Sequence, residues 1–270
     1  MDQLIHPSAI ISPGAVLGRN VRVGAFAIIE HETQIGDDCI IEDAACVKAY
    51  TKIGAGSRIF RGAVLGHLPQ DYKYKEDRSF VIIGKGNMIR EFVTIHRGTE
   101  RDSATVLGDN NMLMAYSHIG HNSRVGSNVI IANGSQISGH VEIEDRAFLS
   151  GLVAVHQFTR IGKFAMVGGC TKIVQDVPPF MTVDGNPAAI YGLNSVGLKR
   201  AGFSSEARME LKKALKELLV KSRPLKEVLS AVSERFRGSE DVRYLVDFIR
   251  SSKRGIVSCA INIASDSDEQ

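Results

Sequence analysis

The sequence predicts an all-β solenoid followed by α-helices, namely a parallel β-helix of hexapeptide repeats with a C-terminal helical cap. Two observations carry this prediction. An aliphatic residue recurs every six positions from Ile5 to Ile173: of the 29 positions on that grid, 26 are Ile, Leu or Val, and the exceptions are Asp71, Asp77 and Arg101. Beyond Ser204 the period changes to that of amphipathic helices. An α-helix repeats at about 3.6 residues and a simple strand at about two, so neither produces a strict six. A hexad made of one short strand and one turn does. Its aliphatic residue points inward, and stacked coils hydrogen-bond about 4.8 Å apart.

Along the chain, hexads such as Ile53-Gly-Ala-Gly-Ser-Arg and Val125-Gly-Ser-Asn-Val-Ile carry small residues around the aliphatic one. Two polar stretches, Leu65 to Ile83 and Ile95 to Leu107, interrupt the grid without shifting its register. They are predicted to be loops near 66–80 and 98–106, thrown out from the coil wall. Loops on a rigid scaffold often carry function, although a tolerated insertion is the plainer alternative. The repeat fades after Pro178-Pro179, so the β-helix domain is placed at 1–190 and a helical domain at 191–257. In the latter, Leu211, Leu215, Leu218 and Leu219 form one helical face, and Leu225, Val228, Leu229, Val232 and Phe236 another. Ser204 and Ser239 suit helix caps, Pro224 suits a first turn, and a third helix is expected over 241–250. The chain is expected to fray after Arg254, with 258–270 disordered.

No apolar run approaches the roughly 20 residues of a membrane span, and the N-terminus lacks the pattern of a secretory signal, so a cytoplasmic protein is expected. Cys39, Cys46, Cys170 and Cys259 stand singly, without zinc or redox spacing. Up to Tyr191 there are 18 basic and 19 acidic side chains, whereas Gly192 to Val257 has 15 basic against 8 acidic. A basic cap suits either an acidic partner or a solvated helical surface.

Four of the eight histidines, His118, His121, His140 and His156, are gathered in one short stretch of the chain. With three hexads per coil, residues 18 apart stack, so His121 lies over Gly139 with His140 beside it, and Gln157 is one coil further. A metal site would need converging ligands with a supporting shell, which the local sequence does not supply, so no metal or other cofactor is expected. One histidine suffices for general-base catalysis, because imidazole titrates near neutrality. A hydrogen-bonded wall residue is the bland reading for any one of them; four together favour function. No Ser or Cys occupies a nucleophile elbow, so direct attack by a bound substrate is the simpler scheme.

The segments Gln70-Asp71-Tyr72-Lys73-Tyr74, Ile95-His96-Arg97-Gly98-Thr99, His118-Ile119-Gly120-His121-Asn122, Ser138-Gly139-His140-Val141, Ala154-Val155-His156-Gln157-Phe158 and Gly197-Leu198-Lys199-Arg200 resemble the acyl-ACP:UDP-N-acetylglucosamine acyltransferase family of lipid A biosynthesis. The likeness runs from about Ile5 to Gly255. It implies a left-handed β-helix and a homotrimer with active sites between neighbouring subunits. It also implies transfer of a (3-hydroxy)acyl chain from acyl carrier protein to UDP-N-acetylglucosamine, with no nucleic-acid partner. By motif match, His121 would be the general base and the Gly139 N–H an oxyanion donor. Lys73, His118, Asn122, His140, His156 and Gln157 would position the substrates, while Asn194 and Arg200 would reach the nucleotide. Gly169 and Lys172 would bear on acyl-chain length.

Three departures stand out, one of them at the acyl groove, where Gly169 leaves room and Lys172 would instead close it. Many members of the family have Asp where this chain has Asn122, and some have Glu at Val196. The rival activities are acylation of a 3-amino sugar nucleotide and use of acyl-CoA; a catalytically idle scaffold is the non-enzymatic alternative.

Overall fold

The computed structural model describes residues 5–218 and 224–260. Leu219 and the tail from 261 onward, including the stretch Ser265 to Gln270, lie outside the described residues.

From Ile10 to Ile173 almost every hexad contributes a short strand, commonly of two residues, ending on the aliphatic grid position. Up to the last coil, strands pair in parallel with the third strand onward, and with the closing hairpin and the final strand the three sheets have 9, 8 and 11 strands. Ile10 faces Ile28 and Ile11 faces Ile29, a step of one coil. The section is therefore triangular, with three hexads per coil. Inside, Ile29, Ile41, Ile59, Leu65, Ile89, Ile95, Leu113, Ile119, Ile131, Ile137 and Leu149 are essentially inaccessible to water. Burying each such side chain contributes on the order of 2 kcal/mol, which a two-residue strand could not gain alone. The corners repeat as regularly: positions such as Asn20, Asp38, Asn110, Asn122, Asn128 and His140 have φ near +57°, the left-handed conformation a tight turn needs.

Both predicted loops are present. Ile83 pairs with Ile53 and Leu107 pairs with Ile83, so each of these coils is longer than the regular three hexads. The first insertion adds two whole hexads and the second adds one, which is why the grid keeps step across them.

The stack is closed by a hairpin of Met181–Asp184 and Ala189–Leu193. Four helices follow: α1 (Ser195–Arg200), α2 (Ser205–Leu218), α3 (Leu225–Arg235) and α4 (Glu240–Ser251). The Ser204 hydroxyl caps α2 by accepting from the Ala207 N–H at 3.1 Å, as expected. Pro224 and Ser239 precede α3 and α4, but Ser239 makes no side-chain cap bond. Tyr244 on α4 donates to Glu144 on the coil wall at 2.7 Å, and the Arg160 guanidinium lies 4.1 Å above the Phe248 ring.

The expectation of fraying after Arg254 and a disordered segment from 258 is corrected for the described part. Val257 is buried and its N–H donates to Asp176, while Ser258–Cys259 add a parallel strand to Ala189–Leu193. The hairpin offers an open edge, and the chain end covers it.

Candidate active site

The site forms where the second loop returns to the wall beside the histidine column. His121, buried to 6% exposure, follows the strand His118–Ile119. Its Nδ1 is 2.9 Å from Asn122 Oδ1. Its Nε2 is 3.8 Å from an Asp71 carboxylate oxygen of the first loop, too far for a direct hydrogen bond. The next coil places the Gly139 backbone directly against the ring: a Cβ built there would lie 2.4 Å from His121 Cε1 and 2.5 Å from Nε2. Only glycine leaves the ring its place.

Gly139 has a second property. At the same hexad position elsewhere, the N–H groups of Arg19, Ala25, Lys85 and Ser127 donate to aspartates one coil onward: Asp37, Asp43, Asp109 and Asp145. The equivalent residue for Gly139 is Gln157, and the Gly139 N–H has no acceptor among the described residues. An uncommitted backbone donor beside a candidate base is what an oxyanion hole requires.

The other histidines crowd the same face. His140 meets His121 edge-on, with centroids 5.2 Å apart, and stacks on Phe158. His118 Nδ1 is 2.7 Å from Thr94 Oγ1, and its ring meets that of His96 at 4.7 Å. Burial first, and then the neighbouring His121 ring, which would repel a second positive charge, lowers the pKa values of His118 and His140. His96 is pushed down to about 4, by burial first and then by His118, His67 and His121. A cleft of about 460 Å³ lined by Asn122, Arg124, His140 and Phe158 opens beside the cluster.

His96 makes a testable pH prediction. An unfolded histidine titrates near 6.5, so between about pH 6.5 and 4 the unfolded chain binds the proton that folded His96 refuses. Stability from this source is complete above pH 6.5 and is lost as pH falls toward 4, by roughly 3 kcal/mol at most. The urea midpoint should drop over that window, and His96→Gln should flatten the drop; an equally steep fall in the variant would remove His96 as its cause.

Other expected residues are placed less centrally. Lys73 is exposed on the first loop, its N–H bonded to Asp71 Oδ1. His156 and Gln157 are exposed one coil beyond Gly139, with His156 Nδ1 3.1 Å from the Gln157 carbonyl. Lys172 ends the ladder His118, Gln136, Ala154, Lys172, three coils and about 14 Å from His118. Gly169 is exposed, with only the Gly151 carbonyl oxygen near its face. Asn194 has a structural task that the sequence reading did not foresee. Its Oδ1 accepts from Gly197 N–H at 3.0 Å, capping α1, and its Nδ2 donates to the Phe164 carbonyl at 2.9 Å. Arg200 is exposed at the end of that helix.

Sequence reasoning missed Asp71, His96, Thr99 and Glu100 as parts of the cluster. Asp71 had left a trace: it is one of three positions where the aliphatic grid fails.

The fold and this site define a hexapeptide-repeat transferase with a cluster of histidines on the coil wall. Residues 104–139 match the bacterial transferase hexapeptide model, and residues 176–257 match the second domain of UDP-N-acetylglucosamine O-acyltransferase. The chain is 43% identical to the acyl-[acyl-carrier-protein]–UDP-N-acetylglucosamine O-acyltransferase of Burkholderia orbicola and 46% identical to that of Burkholderia mallei, covering 94% of this chain and 98% of each relative. Among solved structures it resembles the UDP-N-acetylglucosamine acyltransferase of Bacteroides fragilis (TM-score 0.91, 37% identity, 93% of this chain and 99% of that one). The Campylobacter jejuni enzyme is also similar (TM-score 0.89, 40% identity, 95% and 100%). The chain belongs to the UDP-N-acetylglucosamine O-acyltransferase family. Its solenoid is a left-handed parallel β-helix, and the protein is an acyltransferase.

Proposed function

We propose that the protein transfers a (3-hydroxy)acyl chain from acyl carrier protein to the 3-hydroxyl of UDP-N-acetylglucosamine, the first step of lipid A biosynthesis. The observation that carries this is the close approach of the Gly139 backbone, with its uncommitted N–H, to the His121 ring across one coil spacing. His121 Nε2 takes the proton of the sugar 3-hydroxyl as its oxygen attacks the thioester carbonyl. The Gly139 N–H supports the negative oxygen of the tetrahedral intermediate. As that intermediate collapses, the C–S bond breaks and the imidazolium returns the proton to the departing thiolate. No covalent enzyme intermediate is needed.

At 3.8 Å the Asp71 carboxylate is too far to hydrogen-bond Nε2 directly, so the Nε2 lone pair is open to a substrate hydroxyl. Lys73, His118, His140, His156 and Gln157 surround the substrates, and Arg200 supplies a guanidinium fork for phosphate. Asn194 acts through the α1 cap that holds Arg200 in place. The acyl chain runs along the ladder from His118 toward Gly169 and Lys172. Large apolar side chains are exposed on a single subunit, among them Phe26, Phe92, Tyr116 and Leu152, and a homotrimer covers such surface. A mass in solution of three times the 29.4 kDa chain tests this. Among the described residues no helix is long and apolar enough to cross a membrane, and the proposed location is the cytoplasm.

The basic cap is the proposed docking surface for the acidic carrier. Lys199 and Lys212 are exposed on it. Charge attraction of this kind speeds encounter and is screened over about 8–10 Å at ordinary ionic strength. KM for acyl carrier protein should rise with salt. In a Lys199→Glu, Lys212→Glu double variant it should start several-fold higher and respond less to salt, while KM for UDP-N-acetylglucosamine barely moves. Equal salt slopes in the two proteins would reduce these lysines to a solvated face. Acyl-CoA thioesters, tried alongside a panel of carrier thioesters, should turn over poorly; comparable turnover would replace the carrier with the coenzyme and contradict the docking role.

A further inference from the structure

Asn122 is the side chain set against His121 Nδ1, and the second loop shows what holds its amide in place. Asn122 Oδ1 lies 2.9 Å from His121 Nδ1 and also accepts from the Thr99 backbone N–H at 3.0 Å and the Thr99 hydroxyl at 2.9 Å. The other end of the amide, Nδ2, donates to Glu100 Oε2 at 2.8 Å. These partners fix the amide without ambiguity. A backbone N–H needs an acceptor and a carboxylate needs a donor, so a flipped amide would lose both contacts. The Asn122 N–H, bonded to Thr105 Oγ1 at 2.8 Å, holds the backbone of the same turn.

The orientation has a chemical consequence. With Oδ1 facing the ring, Nδ1 must carry the proton, which leaves the lone pair on Nε2, toward Asp71 and Gly139. A flipped amide would donate into Nδ1 and put the proton on Nε2, where it would disable the base. An isolated asparagine has no preference between these states. We propose that Thr99 and Glu100 act as positioning residues that lock the Asn122 amide, so that a His121–Asn122–Glu100 relay holds the His121 ring in its working tautomer. This rests on His121 being the base of the reaction proposed above.

The carboxylate end of the relay is also electrically suited to the task. Burial works against the Glu100 anion, yet the hydrogen bonds it accepts, that from Asn122 Nδ2 among them, bring its pKa below the ordinary carboxylate range. The one-hexad insertion that carries it leaves the coil at the point needed to bring a carboxylate over the turn at Asn122.

The test is a double-mutant cycle. Glu100→Ala should lower kcat roughly ten- to a hundredfold, the usual cost of losing a histidine's outer partner, with KM for either substrate changed less than threefold. Glu100→Gln, which can still accept from Nδ2, should lose less than Glu100→Ala. In an Asn122→Asp background, where a carboxylate faces Nδ1 directly, Glu100→Ala should cost twofold or less. A loop that merely supports folding would show no such rescue. Independently of turnover, nitrogen NMR of the labelled His121 ring should show the proton on Nδ1 in the wild type and a tautomer mixture in Glu100→Ala. The relay is overturned if Glu100→Ala keeps kcat within twofold, if its loss is the same in both backgrounds, or if the tautomer does not change. A wild-type protein that fails to acylate UDP-N-acetylglucosamine would instead sink the functional reading, and the NMR result would still decide the relay.

Discussion

Replacing His121 by alanine is expected to lower kcat by about 10²–10⁴, the usual contribution of a general base, while melting temperature and oligomeric state stay near those of the wild type. The ring is buried at a corner, but its contacts are with other site residues: Asp71, Asn122, His140 and the Gly139 backbone. The aliphatic column that holds the coils together runs through Ile119, Ile137 and Val155, and His121 is no part of it. Activity and stability should therefore separate. Steady-state kinetics together with thermal unfolding make the check, and a variant that retains kcat within threefold would remove His121 from the role.

Gly139→Ala should be nearly as damaging, for a different reason. A methyl group at this position would sit 2.4–2.5 Å from His121 Cε1 and Nε2, well inside contact distance, so either the ring or the coil must move. Backbone conformation is no obstacle, because Gly139 is not among the residues with positive φ. The substitution keeps the N–H and displaces the base relative to it. A misplacement of about 1 Å in a reacting group can cost on the order of 10²-fold in rate, and a loss of that size in kcat is expected. If Gly139→Ala turned over within threefold of wild type, the close approach of ring and backbone would be incidental to the chemistry.

The solenoid was legible because one inward residue per hexad must be aliphatic and because both insertions are whole hexads, so the grid survives them. Stacking at a spacing of three hexads is enough to set Gly139 on His121. The short helix α1 was not legible: a single turn and a half that includes Gly197 is too little to show a helical period, although Asn194, close before Gly197, is a fair cap signal in hindsight. The ordering of Gly255 to Cys259 was hidden because its partners, Asp176 and the strand Ala189–Leu193, are distant in sequence and so short a strand has no pattern of its own. Asp71, Thr99 and Glu100 were missed for a related reason. They lie on loops, where no period governs side-chain direction, and only the return of each loop to the wall brings them to His121 and Asn122.

The most direct test of the whole account is to identify the product. Purified protein, UDP-N-acetylglucosamine and a 3-hydroxyacyl carrier thioester should give equal amounts of free carrier thiol and a UDP-sugar bearing the acyl chain as an ester on O3, located by NMR of the isolated product. The His121→Ala protein should give neither. Thiol release without sugar acylation, acylation at another position, or turnover only when the 3-hydroxyl is replaced by an amine would each contradict it.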